Sequence, residues 1–224
     1  YYNGAESDIG KNTYDELLPY IAYVDKNKTF LDTMFDSALF LPLNPGTDGE
    51  HSLMKQSGWE HYLENTIGAA EDINMTALDR LVGDIKAELD LGDDFQFPVI
   101  MTVPYTNPSA AVFGTLDGDA SVSLDTLEGC EAVVEWFVDE SISAFENADF
   151  QNLKLVGFYW YAELVNYAAS DFGEALVQSF NAYVHGKDLG TMWIPYYCAP
   201  GMERAVELGF DVACVQNGYA FPKE

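Results

Sequence analysis

The stretch LKLVGFYWYAE, Leu153 to Glu163, decides how the rest of the sequence is read. Its unbroken apolar and aromatic run predicts a strand over 153–161 that is buried on both faces, the pattern of a parallel sheet covered by helices. Side chains alternate along a strand, so Leu155, Gly157, Tyr159, Tyr161 and Glu163 share one face while Val156, Phe158, Trp160 and Ala162 share the other. The second set is expected to face a helix. The first set combines a glycine, two tyrosines and a carboxylate, which suits a sheet interior opening on a solvent-filled mouth.

Similar runs recur at ALFLPL (Ala38 to Leu43), PVIMTV (Pro98 to Val103), TMWIPY (Thr191 to Tyr196) and FDVACV (Phe210 to Val215), with a stub at Tyr1 to Asn3. Segments of helical period lie between them. Thr13 and Glu16 form a capping box that predicts a helix through about Val24. Thr76 and Asp79 open a second, with Leu78, Leu81, Val82, Ile85 and Leu89 on its apolar face. Asp125 and Glu128 open a third, carrying Val133, Trp136, Phe137 and Phe145. Asp171 and Glu174 open a fourth, with Leu176, Phe180 and Val184 on one face and Gly186 as its stop.

Alternating strands and helices predict an α/β fold, a (β/α) TIM-type barrel forming a single domain over 1–224. About six of the eight barrel strands are accounted for, so the rest are expected beyond Glu224 or supplied separately. No GxGxxG or GxxxxGK[ST] turn follows any strand, which removes the motif-borne dinucleotide and P-loop readings. The long connections 44–58 and 106–119 are expected to lie on the rim where barrels build their sites.

Bulk composition narrows the chemistry. With 224 residues and 48% apolar content the chain can bury a sizeable core. Ten basic residues against 37 acidic ones give a net charge of -27, which repels phosphate backbones and anionic headgroups. Nucleic acid is therefore not expected as a partner. No apolar run approaches the roughly 18 residues that cross a bilayer, so no membrane insertion is expected. Cys130, Cys198 and Cys214 fit neither a disulfide framework nor a metal knuckle. Buried free thiols are the expectation, with a Cys198–Cys214 bridge left open. His51, His61 and His185 lack ligand spacing, so no metal and no cofactor are expected. No GxSxG elbow is present. Asn27-Lys-Thr29 and Asn74-Met-Thr76 match the glycosylation sequon.

Polar and aromatic residues gather just after successive predicted strands: Asn44, then Tyr105 and Asn107, then Glu163, then Tyr196 and Tyr197, then Gln216 and Asn217. Glu163 is the candidate catalytic residue, a general acid/base whose carboxyl lies among aromatic rings. Its alternative role is a helix N-terminal carboxylate or a structural acceptor. Asn44, Tyr105, Asn107, Tyr159, Tyr161, Trp193, Tyr196, Gln216 and Asn217 are the candidate substrate-binding residues, the aromatic ones as platforms for sugar rings. Glycoside hydrolysis also needs a second carboxylate, about 5 to 5.5 Å away for retention or about 6.5 to 9.5 Å for inversion. Glu50, Asp117, Asp119 and Asp171 lie in rim loops within reach, whereas Asp36 and Asp211 precede their strands and belong to the opposite end.

The runs FDSALFLPLN, FPVIMTVPYTNPSAAVFG, LKLVGFYWYAELVN and MWIPYYCAPGMERAVELGFDVACVQNGYAF resemble domain-of-unknown-function family 4855 over essentially the whole chain. The FYW-x-x-E and WIPY…GFD…Q-N-Y-x-F blocks are the most specific parts, although Asn217-Gly218-Tyr219 stands where Pro-Asn-Tyr is expected. The resemblance implies a bacterial, extracellular (β/α) barrel and assigns no catalytic residue. Together these readings lead to the expectation of a glycoside hydrolase-like domain acting on a carbohydrate ligand. The alternative is a non-catalytic glycan-binding or structural surface-protein domain.

Overall fold

A computed structural model describes residues 2–3, 10–42, 52–68, 71–106, 112–116, 118, 120–165 and 171–218. In chain order the elements are β1 (Tyr2–Asn3), α1 (Tyr14–Ile21), β2 (Ala22–Val24), β3 (Phe30–Thr33), β4 (Ala38–Leu39), β5 (Leu41–Pro42), α2 (Gln56–Thr66), α3 (Asn74–Leu89) and β6 (Phe97–Val103). There follow β7 (Thr115–Leu116), β8 (Ala120–Ser121), α4 (Leu127–Ala148), β9 (Leu153–Trp160), α5 (Gly173–His185), β10 (Gly190–Trp193) and β11 (Val212–Ala213). The chain forms two compact units, one of residues 1–52, 57–101 and 140–156, the other of 53–56, 102–139 and 157–224.

The main sheet is parallel and five-stranded, in the order β11-β10-β9-β6-β4. β1 pairs with β5 in parallel, and β2–β3 and β7–β8 form antiparallel pairs. This corrects the expected TIM-type barrel of about six strands. Among the described residues β4 and β11 are the ends of the order and do not pair with each other. Continuous apolar strands specify parallel pairing and burial, but closure also requires matched strand number, tilt and stagger, which no local pattern encodes.

In the first unit, α1 opens as the capping box predicts: the Glu16 carboxylate accepts hydrogen bonds from the Thr13 amide (2.9 Å) and hydroxyl (2.8 Å). The helix stops at Ile21 instead of reaching Val24, because Ala22 and Tyr23 pair with Thr33 and Asp32 in a hairpin. The hairpin turn is organised by Asp25, whose carboxylate accepts from the amides of Asn27 (2.8 Å) and Thr29 (2.9 Å).

Helix α3 begins at Asn74, two residues before the expected Thr76. Asn74 is fully buried and adopts φ +51°, a left-handed conformation that asparagine tolerates better than most side chains. Its Oδ1 accepts from the Asn12 amide (3.1 Å) and side chain (2.8 Å), while its Nδ2 donates to the carbonyls of Gly10 (3.2 Å) and Asn65 (2.9 Å). The glycosylation sequon at Asn74 is therefore closed off inside the fold. Leu78, Leu81, Val82 and Ile85 are buried as the helical period predicts. Within the helix, Asp79 accepts the Asn152 amide at 2.7 Å, and the Asn152 carbonyl accepts the Phe97 amide at 2.7 Å, so one asparagine ties α3 to the start of β6.

In the second unit, Gly157 to Trp160 pair with Gly190 to Trp193, and Met192 and Trp193 pair with Val212 and Ala213. The alternation along β9 has its predicted consequence at Trp160, whose ring packs on Phe180 of α5 with centroids 5.1 Å apart. Trp193 stacks on Phe210 at 5.1 Å. The start of α4 is capped by Thr126, whose hydroxyl accepts the Gly129 amide at 3.1 Å, a role not read from the sequence. All three cysteines are free, but only Cys130 is buried; Cys198 and Cys214 are exposed. The expectation of buried thiols fails there because Cys198 sits in a turn at φ +63° and Cys214 follows the end strand β11.

Candidate functional site

The loops following β9, β10 and β11, all in the second unit, are joined by backbone hydrogen bonds. The Tyr196 amide donates to the Glu163 carbonyl at 3.3 Å, and the Val165 amide to the Pro200 carbonyl at 2.9 Å. On the other side, the Gln216 amide donates to the Pro195 carbonyl at 2.9 Å. A turn closed by the Ala199 amide on the Tyr196 carbonyl (2.9 Å) presents the Tyr196–Tyr197 pair. An added β-carbon on Gly218 would stand 4.0 Å from the Tyr197 β-carbon, which brings the loop after β11 against the same tyrosine.

These bonds unite Glu163, Tyr196 and Gln216, with Tyr197 and Asn217 as direct neighbours in the chain. Glu163 and Asn217 are exposed, and Tyr196 and Tyr197 present 38% and 64% of their surface. The Gln216 side chain turns back to donate to the Ile194 carbonyl at 3.1 Å, so its amide nitrogen holds the loop in place. Tyr161 and Tyr105 are partly buried, the latter just beyond β6. Tyr159 and Trp193 are buried. The Trp193 indole N–H donates to the Ala162 carbonyl at 2.7 Å, so this ring supports the residue preceding Glu163 from within the core. Asn44 and Asn107 lie outside the described residues, as do Glu50, Asp117 and Asp119.

The Glu163 carboxylate makes no hydrogen bond or ion pair among the described residues. Asp211, expected at the opposite end of the strands, accepts from the Thr191 amide at 2.7 Å and lies 2.9 Å from His185 Nε2. Burial by itself would raise its pKa, but the His185 and Thr191 hydrogen bonds outweigh burial and leave the carboxyl below its ordinary value. Asp211 is thus committed to holding β10 and the C-terminal end of α5. Among the described residues no grouping of His, Cys, Asp and Glu is arranged to hold a metal ion, and no helix is long and apolar enough to cross a membrane.

A family model, Domain of unknown function (DUF4855), matches residues 1–224. The chain belongs to that family. No curated protein and no solved structure matches it. The functional assignment of this DUF4855 chain therefore rests on the chemistry of its own residues.

One feature of the DUF4855 chain escaped the sequence reading. In the first unit a cleft of about 780 Å³ is lined by Glu16, Tyr20, Phe35, Ser37 and Leu39, among others. Glu16 and Tyr20 are four residues apart on one face of α1, a detectable spacing. Phe35 reaches the same cleft only because the β2–β3 hairpin carries it there, and that hairpin was read as helix and connection.

Proposed function

We propose that this domain binds a glycan across the loops that follow β9, β10 and β11, and that Glu163 acts there as general acid/base in glycosidic-bond hydrolysis. The observation that carries this reading is the Tyr196 amide bonded to the Glu163 carbonyl, because it keeps an exposed carboxylate residue beside two exposed tyrosines. Tyrosine rings offer apolar faces to the C–H faces of a sugar, and their hydroxyls and Asn217 offer hydrogen bonds to its hydroxyl groups. Glu163 supplies the one carboxylate of this cluster, the kind of group that general acid/base catalysis of glycoside hydrolysis uses. The bacterial, extracellular setting that the sequence resemblance implies supports a role outside the cell.

A second reading, glycan binding without hydrolysis, is favoured by the unbraced Glu163 carboxylate, since an efficient acid is normally oriented by a neighbour. Both readings meet in one experiment. The purified protein is screened against a polysaccharide panel for binding and for release of reducing ends, alongside Glu163→Gln and Tyr197→Ala. Hydrolysis lowered about 10²- to 10⁴-fold by Glu163→Gln, with binding retained, supports the enzyme. Binding that Tyr197→Ala weakens, without hydrolysis by any form, supports the second reading. Hydrolysis undiminished in Glu163→Gln sinks the catalytic assignment, and absence of binding to every polysaccharide sinks both.

A further inference from the structure

β9 ends at Trp160 and β10 at Trp193, so the ladder between them no longer orients the chain where Glu163 stands. Two bonds from β10 and its following loop take over there. The Trp193 indole N–H donates to the Ala162 carbonyl at 2.7 Å, and the Tyr196 amide donates to the Glu163 carbonyl at 3.3 Å. The Ala162 carbonyl belongs to the peptide group that ends at the Glu163 nitrogen, and the Glu163 carbonyl belongs to the next one. Peptide groups are planar and turn only about the α-carbons between them, so holding both planes leaves Glu163 little freedom in φ and ψ. The direction of its Cα–Cβ bond is then set as well.

The donor on the first plane is itself immobile. Trp193 is fully buried, and its ring lies nearly parallel to that of Phe210, with an interplanar angle of 17° and centroids 5.1 Å apart. An indole offers a single N–H and no acceptor, and a ring packed in this way cannot swing to another partner. Any nearby carbonyl would satisfy a buried indole. The one taken immediately precedes an exposed glutamate whose own carboxylate is held by no neighbour among the described residues. The aim of such a side chain comes from its backbone.

We propose that Trp193 is a positioning residue: with the Tyr196 amide it clamps both peptide groups that flank Glu163, and so aims the carboxylate at a glycan lying on Tyr196 and Tyr197. This role rests on the assignment of Glu163 as general acid/base. Misplacing a reacting group by about 1 Å costs about 10²-fold in rate, so a buried ring that touches no ligand governs turnover through the backbone it holds.

The test replaces Trp193 by β-(3-benzothienyl)alanine, which keeps the two fused rings and exchanges the N–H for sulfur, and in parallel makes Trp193→Phe. The isostere decides where Trp193→Phe fails to fold. Amide hydrogen exchange followed by NMR compares Tyr196, bonded to the Glu163 carbonyl, with Gln216, bonded to the Pro195 carbonyl of the same loop. Loss of the indole donor is expected to speed exchange at Tyr196 by about tenfold or more and to leave Gln216 unchanged. The kcat on a polysaccharide that the native protein hydrolyses is expected to fall at least about tenfold, with KM nearly constant. Unchanged exchange at Tyr196, or an equal rise at both amides, overturns the clamp, since general loosening of the core moves both. Hydrolysis lost in Glu163→Gln but undiminished in the isostere overturns the positioning role alone. A native protein that hydrolyses no polysaccharide overturns the catalytic assignment of Glu163 and this role with it.

Discussion

Gly157 and Gly190 face each other across the β9–β10 ladder so closely that a β-carbon added at 157 would stand 2.3 Å from the Gly190 carbonyl oxygen. The obstructing atom is backbone of the paired strand, which cannot swing aside as a side chain would. Gly157→Ala is expected to destabilise the protein by about 3 kcal/mol, the upper range of overpacking effects, measured by urea unfolding. A variant as stable as the native protein would show that the ladder yields at this point.

Asn74 combines full burial, a left-handed backbone and side-chain bonds to Gly10, Asn12 and Asn65. Asn74→Ala loses the bonds and strains the backbone, for an expected cost of about 3 kcal/mol or more. Asn74→Gly loses the same bonds but accepts the positive φ, and should recover about 1 kcal/mol of that loss. Equal destabilisation by the two substitutions would remove backbone conformation from the explanation.

The carboxyl of Asp211 is held below its ordinary pKa by His185 and Thr191 against the opposing effect of burial. A carboxyl depressed on folding adds stability above its unfolded-state pKa, and that contribution disappears as pH falls through the folded-state value. Asp211→Asn should therefore cost about 1 kcal/mol at pH 7, a modest figure because the side chain is half exposed. The gap between native and variant should narrow below about pH 4. Denaturant titrations at neutral and acid pH check both the size and the direction.

The Tyr14 hydroxyl donates to Asp84 at 2.9 Å, and burial together with that carboxylate pushes its pKa up to about 12, with Arg80 acting in the opposite sense. The folded protein thus keeps this proton to higher pH than the unfolded chain does. Its stabilising contribution is complete below pH 10, the ordinary tyrosine value, and is lost as pH rises toward 12. The difference in ultraviolet titration between native protein and Tyr14→Phe should show one late-titrating phenol, moved to lower pH by Asp84→Asn.

Much of this architecture is legible in the sequence. The apolar runs at 98–103, 153–161 and 191–196 became β6, β9 and β10, and the apolar positions of α3, α4 and α5 fell where a 3.6-residue period puts them. The β2–β3 hairpin was not read, because Ala22 to Val24 continues the apolar spacing of α1. Its decisive signal, the Asp25 carboxylate capping Asn27 and Thr29, is an ordinary cluster of polar residues until the turn is seen. Of the candidate site, Glu163, Tyr196 and Gln216 were named from strand ends and do come together. Tyr159 and Trp193 were named on the same grounds yet are buried, since position along a strand says nothing about what stands over it.

The sequence by itself determined the apolar strands of the parallel sheet, helices α1, α3, α4 and α5 and the strongly negative net charge, because periodicity, capping and charge are properties of neighbouring residues. Only the tertiary structure decided that β4 and β11 end the strand order among the described residues, that Asn74 is a buried tie, and that Tyr197 is exposed while Trp193 is not. Those outcomes depend on which distant segments meet. Burial, edge exposure and hydrogen-bond partnership arise from contacts between residues tens of positions apart, such as Asn12 with Asn74 and Glu163 with Tyr196.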